Sequence, residues 1–398
     1  MGLKRTTGLV LALLFIWILC ISLLRENLGV SIRLFNDDYD RGIYAEHGKW
    51  LQNGEVPYRD EFSEYPQVPT YLFALPYFLI PGAAGELFGY YLYSTLFSFL
   101  MLAFLFGTIA LLYKMLPERR RWLAFLMLLP ASLYFTVNRF DILPAFLCLI
   151  SLLLLEQRRW AWSAIVLGIA TLTKWYPLLL LPVYLSYDYS TRRRLNWRMI
   201  LAFGLTCLVI IAPSLLTGGL DALLVPYRFH GGRGVDIPSL TGLLSFVLER
   251  WFHITPTGPW WLGIFTLLQV FIVPFSLFDR IDTFDKVLHW CILILAPFVL
   301  FSRIYSPQWL LWLMPMLILA ARTTKDIVGI IFYDVSTYLA FPVTWDFFGH
   351  LSWEMKVMGL VNVLLLAVIA ILAFRRAHVH LSFANFFELL PCSTPSKT

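Results

Sequence analysis

The sequence predicts an all-α polytopic membrane protein, one integral domain over residues 1–398, and three observations predict it. The chain is 59 % hydrophobic and only 14 % charged, where a soluble domain carries roughly a quarter charged residues. Its mean hydropathy is +0.72. Apolar stretches long enough to cross a hydrocarbon layer of roughly 30 Å recur from end to end.

The first apolar run, Gly8–Leu24, follows Lys4 and Arg5 as a signal peptide would. Arg25, Glu26 and Asn27 come next instead of a small-x-small cleavage site, so the run reads as a retained signal-anchor helix. Eleven further spans are predicted, at about 87–112, 122–137, 141–155, 160–173, 175–187, 198–216, 259–277, 287–302, 307–321, 327–345 and 355–374. The shorter ones require tilt or local thinning of the bilayer.

Lysine and arginine orient these twelve spans. With the N-terminus in the cytoplasm, Lys114 with Arg119–Arg121, Arg158 with Arg159, Arg192–Arg194, Arg322 with Lys325, and Arg375 with Arg376 share the inner side. That arrangement places 19 Lys and Arg inside against 12 outside, and makes 375–398 a cytoplasmic tail. The run Gln67–Pro81 is also apolar, yet counting it as a span would invert every later loop. Its short length and its prolines at 69, 76 and 81 make it an interfacial helix on the outer surface.

The net charge of +6 follows topology, so a nucleic-acid partner is not expected. Cys20, Cys148, Cys207 and Cys291 fall inside apolar runs and Cys392 in the tail, with no metal-ligand spacing and no evident disulfide partner.

The polar chemistry gathers on the outer face, in a first loop at 25–86 and a second large loop at 217–258. Asn36–Pro66, NDDYDRGIYAEHGKWLQNGEVPYRDEFSEYP, holds eight of the chain's 25 acidic residues. Asp37, Asp38 and Asp40 lie just past a membrane helix, where like charges raise one another's pKa. Asp141 abuts an apolar span, where ionisable groups are costly and usually functional; an ion pair with neighbouring Arg139 is the other reading. Lys174 either serves the site or snorkels to the interface, Arg303 either serves it or is interfacial, and His230 and Arg233 sit in a Gly-rich loop that solvation alone would also explain. Asp334 falls inside a span with no obvious partner.

Taken together, carboxylates suited to deprotonating an alcohol share one side with cations suited to a phosphate leaving group. Aromatics such as Tyr44, Tyr58, Tyr65, Trp175, Tyr176, Tyr305 and Trp309 suit sugar faces or the membrane-interface belt. The combination points to group transfer from a lipid phosphate to a hydroxyl.

Asp40-Arg-Gly-Ile-Tyr44, Gly54-Glu-Val-Pro57-Tyr58-Arg59-Asp60 and Glu64-Tyr65-Pro66 resemble the first-loop signature of glycosyltransferase family 87, within the GT-C superfamily. Arg139-Phe-Asp141, Lys174-Trp-Tyr-Pro177, the His230/Arg233-Gly234 loop and Ser306-Pro307-Gln308-Trp309-Leu-Leu-Trp312 follow in the family's order. The resemblance implies a GT-C-like bundle and an inverting transfer on the outer side of the membrane; the short, tag-free tails favour a bacterial or archaeal plasma membrane. The implied donor is a polyprenyl phosphate carrying one sugar, mannose first, and the implied acceptor a lipid or glycan hydroxyl.

By the same resemblance Asp40 is the general base, with Asp38 as runner-up and Asp37 shaping the local field. Lys174, Arg233 and Arg303 would contact the donor phosphate, and Arg139 and Asp141 would orient the site. Tyr44, Tyr58, Glu64, Tyr65, His230, Tyr305 and Gln308 would bind substrate or support the loops. No cofactor or metal is expected, and the chain is expected to act as a monomer. Two departures stand out: Gln67 replaces the second proline of the Tyr-Pro-Pro motif, and Asp236 with Pro238-Ser239 departs from the family pattern in the second loop. A secondary transporter is the rival class, although no internal repeat is visible and the ionisable residues cluster at span ends, not at midplane.

Overall fold

The computed structural model describes residues 34, 36–80, 86–256 and 258–381. The predicted signal-anchor helix at 8–24 and most of the tail lie outside the described residues. Those described are helical, with no strand among them. Five helices are long and apolar enough to cross a membrane, or six when one bent pair counts as a single span. The polytopic class therefore holds.

Helix α1, Asp38–Gln52, opens the first loop. Asp37 caps it by accepting from the Tyr39 N–H at 3.2 Å, and Asp38 and Asp40 in the first turn complement the helix dipole. Helix α2, Gln67–Ala74, continues as a 3-10 turn over Leu75–Leu79. Tyr71, Leu75, Phe78 and Leu79 remain exposed along one flank of this segment, a helical spacing that makes one apolar face. The two helices meet at Gly48, where a Cβ would lie 2.2 Å from the Phe73 carbonyl oxygen.

Helix α3, Glu86–Met115, is the first long span. A 3-10 stretch, Glu118–Leu128, leads into α4, Pro130–Asn138, and α5, Ile142–Glu156. These last two meet at 109°, and the corner between them is Arg139-Phe140-Asp141. Helices α6, Trp160–Thr173, and α7, Leu181–Arg192, flank a 3-10 turn at Tyr176–Leu180. Ser151 and Ser163 lock α5 to α6: each hydroxyl donates to the other residue's carbonyl, at 2.8 and 2.9 Å. Small polar residues of this kind allow close helix approach in lipid.

Helix α8, Trp197–Gly232, breaks at Gly219, whose φ of 69° and ψ of −165° no helix accommodates. The second half carries Tyr227, Phe229 and His230 toward Trp175. Much of the loop predicted at 217–258 is thus helical, since α9, Leu240–Phe252, follows.

Helices α10, Pro259–Val270, α11, Phe284–Leu300, and α12, Leu310–Ala320, come next. Then α13, Thr324–Tyr338, opens on a capping box between Thr323 and Asp326. It runs through a π turn, Leu339–Thr344, into the short α14, Trp345–Phe348. The long α15, Trp353–Ala377, packs along α11. Trp290, Tyr184, Tyr93 and Phe97 are among the side chains fully enclosed between these helices.

Candidate active site

The corner between α4 and α5 positions most of the charge. Arg139 leaves the α4 C-terminus in extended backbone, and its guanidinium reaches across to α1. There it pairs with Asp37 and, at 2.6 Å, with Asp40. Asn138 adds a second tie, accepting from the Asp37 N–H at 2.9 Å. Asp38 turns elsewhere, to Arg41 on its own helix. The three aspartates therefore do not converge: Asp37 is sealed in as cap and arginine partner, and Asp40 keeps one-fifth of its side chain exposed.

Two residues further on, Asp141 points the other way. Its Oδ1 pairs with Lys174 at 2.9 Å and accepts from the Trp312 indole at 2.8 Å, and the residue is fully buried. The predicted Arg139–Asp141 pair is thus replaced by two separate clusters, because the sharp corner sends the neighbouring side chains to opposite sides. Lys174 also lies 4.5 Å from the centroid of the Phe140 ring, a favourable cation–π distance.

Asp40 and Lys174 border a cavity of about 450 Å³ at one end of the bundle. Asp40, Glu64 and Tyr65 line it from the first loop, and Lys174, His230 and Arg233 from the opposite wall. Arg303 and Gln308 complete it. Arg303 donates to the carbonyls of His230 and Gly231 at 2.9 and 3.1 Å, so it also fixes the loop. Arg233 pairs with no carboxylate among the described residues. Trp175 stacks on Tyr227 at 4.6 Å, with His230 edge-on at 5.0 Å. Tyr176, Trp312 and Trp309 stack in sequence nearby.

Seven predicted residues stand outside the cavity: Asp37, Asp38, Arg139 and Asp141, placed above, and three tyrosines. Tyr44 is buried against Phe73, stacked at 4.4 Å. Tyr58 donates its hydroxyl to the Tyr65 carbonyl at 2.7 Å, holding the loop that presents Glu64. Tyr305 is buried beside the cavity instead of lining it.

Burial raises the Asp40 carboxyl above its ordinary value; Arg139 opposes that rise and Asp37 adds to it. Burial also raises Glu64. His47, missed in the sequence, faces Glu64 at 3.8 Å. Burial lowers its pKa to about 4, so at neutral pH this is a polar contact, not an ion pair. Asn138 immediately precedes the Arg139-Phe-Asp141 motif and Trp312 closes the one that starts at Ser306, whereas no sequence signal marks His47.

The two departures have local consequences. Gln67 is buried at the start of α2, where its carbonyl accepts from the Thr70 hydroxyl at 2.6 Å. Asp236 and Ser239 build a turn against Arg303: the Asp236 N–H and the Ser239 hydroxyl both donate to the Arg303 carbonyl, at 2.9 and 3.1 Å.

The sequence model of glycosyltransferase family 87 matches residues 65–302. The match takes in Arg139, Asp141, Lys174, His230 and Arg233, and begins after the aspartate cluster. No curated protein matches the chain.

Proposed function

The chain belongs to glycosyltransferase family 87, and from that premise we propose an inverting transfer of one sugar, mannose, from a polyprenyl phosphate to a hydroxyl of a lipid or glycan acceptor. The acceptor proton passes to the Asp40 carboxylate. The freed oxygen bonds to C1 of the sugar from the face opposite the phosphate. The C1–O bond to phosphate breaks, and its electron pair leaves with the polyprenyl phosphate.

One observation carries this assignment. Of the three clustered aspartates, Asp40 alone lines the cavity that Lys174, Arg233 and Arg303 also line. A base whose pKa is raised toward the working pH is a better proton acceptor, and burial pushes Asp40 in that direction. Fixed cations on the facing wall would stabilise the charge that develops on the departing phosphate. The aromatic rim around Trp175 suits the sugar face. Asp37 and Arg139 act on Asp40, and Glu64 and His230 border the space left for substrate.

The proposal includes twelve spans, cytoplasmic termini and an outward-facing site in a bacterial or archaeal plasma membrane. The flank formed by Tyr71, Leu75, Phe78 and Leu79 supports an interfacial first-loop helix. The chain would act as a monomer, without a metal or other cofactor.

The test is transfer from radiolabelled polyprenyl-phosphate mannose by purified wild type and Asp40→Asn, with glucose and arabinose donors alongside. Loss of transfer in a folded, donor-binding variant is the expected result. Undiminished transfer would move the base to Asp38. Absence of transfer by wild type with every donor would favour a transporter.

A further inference from the structure

A second cavity, of about 360 Å³, lies between α11, α13 and α15. Its walls are Ile292, Leu317, Ile330, Leu365 and Leu372, and one rim is the exposed apolar surface at Val368 and Leu372. It is remote from the transfer site. The two cavities occupy opposite ends of α11 and α12: His289 lines this one and Phe298 the other, as Leu317 and Trp309 do along the next segment.

The mouth is polar and cationic. His289, with 4 % of its side chain exposed, has its Nδ1 2.8 Å from the Asp285 carbonyl, which makes that nitrogen the donor. Its Nε2 is buried and has no partner among the described residues. Lys325 lines the mouth and pairs with no carboxylate among the described residues, while Arg376 shares Asp326 at 2.5 Å. Asp285 is held by Arg322. The carboxylates here are already engaged and cations remain in excess.

We propose that this cleft binds one anionic glycerophospholipid, an acyl chain between α13 and α15, the phosphate against Lys325 and Arg376, and a headgroup hydroxyl donating to the His289 Nε2. The apolar walls and the opening onto the lipid-exposed helix surface select an acyl chain over a water-soluble ligand. The unbalanced lysine selects a charged headgroup over a zwitterionic one, and the unpartnered imidazole nitrogen suits a headgroup that carries a hydroxyl. Gly329 supplies part of the vacancy: a Cβ there would meet nothing within 4 Å.

The test is native mass spectrometry of delipidated, detergent-purified protein offered equal phosphatidylglycerol and phosphatidylcholine. One retained phosphatidylglycerol per chain is expected. Gly329→Leu starts a side chain where a Cβ would meet nothing within 4 Å and is expected to cut retention at least tenfold at an unchanged Tm. Lys325→Gln, an exposed change, is expected to weaken phosphatidylglycerol roughly fivefold, the weight of one lysine at an anionic surface, and to leave phosphatidylcholine unaffected. Equal retention of the two lipids by wild type would overturn the proposal, as would unaltered retention by both variants.

Discussion

The Asp334 carboxylate accepts from both the backbone N–H and the hydroxyl of Ser132, at 2.9 and 2.6 Å, and its other oxygen takes the Ala131 N–H at 2.8 Å. An acidic side chain from α13 therefore caps α4 across the bundle. Helix α4 has nine residues, and its far end carries Asn138 and Arg139, which hold Asp37 and Asp40. Asp334→Ala leaves buried donors unsatisfied, at about 1–3 kcal/mol. A lower apparent Tm in detergent is expected, with Asp334→Asn intermediate because an amide oxygen can still accept. An Asp334→Ala protein as heat-stable as wild type would refute the capping role.

The charges around Asp40 predict opposite movements of the pH–rate profile. As a base Asp40 works deprotonated, so activity falls as pH drops through its raised pKa. Arg139 holds that pKa down and Asp37 pushes it up. Arg139→Gln therefore shifts the acid limb of kcat/KM to higher pH. Asp37→Asn shifts it to lower pH, since it removes a neighbouring anion and leaves Arg139 to Asp40 alone. Acid limbs that stay fixed in both variants would argue against Asp40 as the titrating base.

Much of this was legible in the sequence, and the gaps have physical causes. Long apolar runs specify a helical membrane bundle because lipid tolerates little else. The cavity residues could be named because Asp40, Lys174, Arg233 and Arg303 all fall at predicted outer ends. Pairing was not legible. Asp141 sits two residues from Arg139 and yet binds Lys174, because a 109° corner separates neighbours in a way that spacing does not encode. Asp334 appeared partnerless because two of its three donors are backbone N–H groups and all lie some 200 positions away, and backbone donors leave no trace in composition. The second half of α8 lies in the predicted 217–258 loop because Gly219 breaks the helix and a new helical segment starts beyond it, which the apolar pattern does not mark.

The Lys174–Asp141 pair gives a prediction that separates folding from donor binding. Asp141 is fully buried, so Lys174→Met strands a carboxylate with the Trp312 indole as its remaining partner. Removing one member of a buried pair costs on the order of 3–5 kcal/mol, and a marked fall in Tm is expected. Adding Asp141→Asn removes the stranded charge and should recover most of that loss. The double variant still lacks the cation proposed to face the donor phosphate, so its KM for donor should stay elevated. A double variant with both wild-type Tm and wild-type donor KM would confine Lys174 to a structural role.

Two glycines of α1 should respond oppositely to the same change. A Cβ at Gly48 would sit 2.2 Å from the Phe73 carbonyl oxygen, a backbone atom that cannot swing aside, whereas a Cβ at Gly42 would meet nothing within 4 Å. Gly48→Ala must therefore push α1 away from α2, at about 1–3 kcal/mol for overpacking of this kind. The displaced helix carries Asp40, so transfer should fall along with Tm. Gly42→Ala keeps the helix in register and replaces a poor helix former with the best one, worth up to about 1 kcal/mol; its Tm should hold or rise. Thermal unfolding of the two variants side by side is the check, and equal Tm values would mean that the α1–α2 contact is looser than the close approach at Gly48 requires.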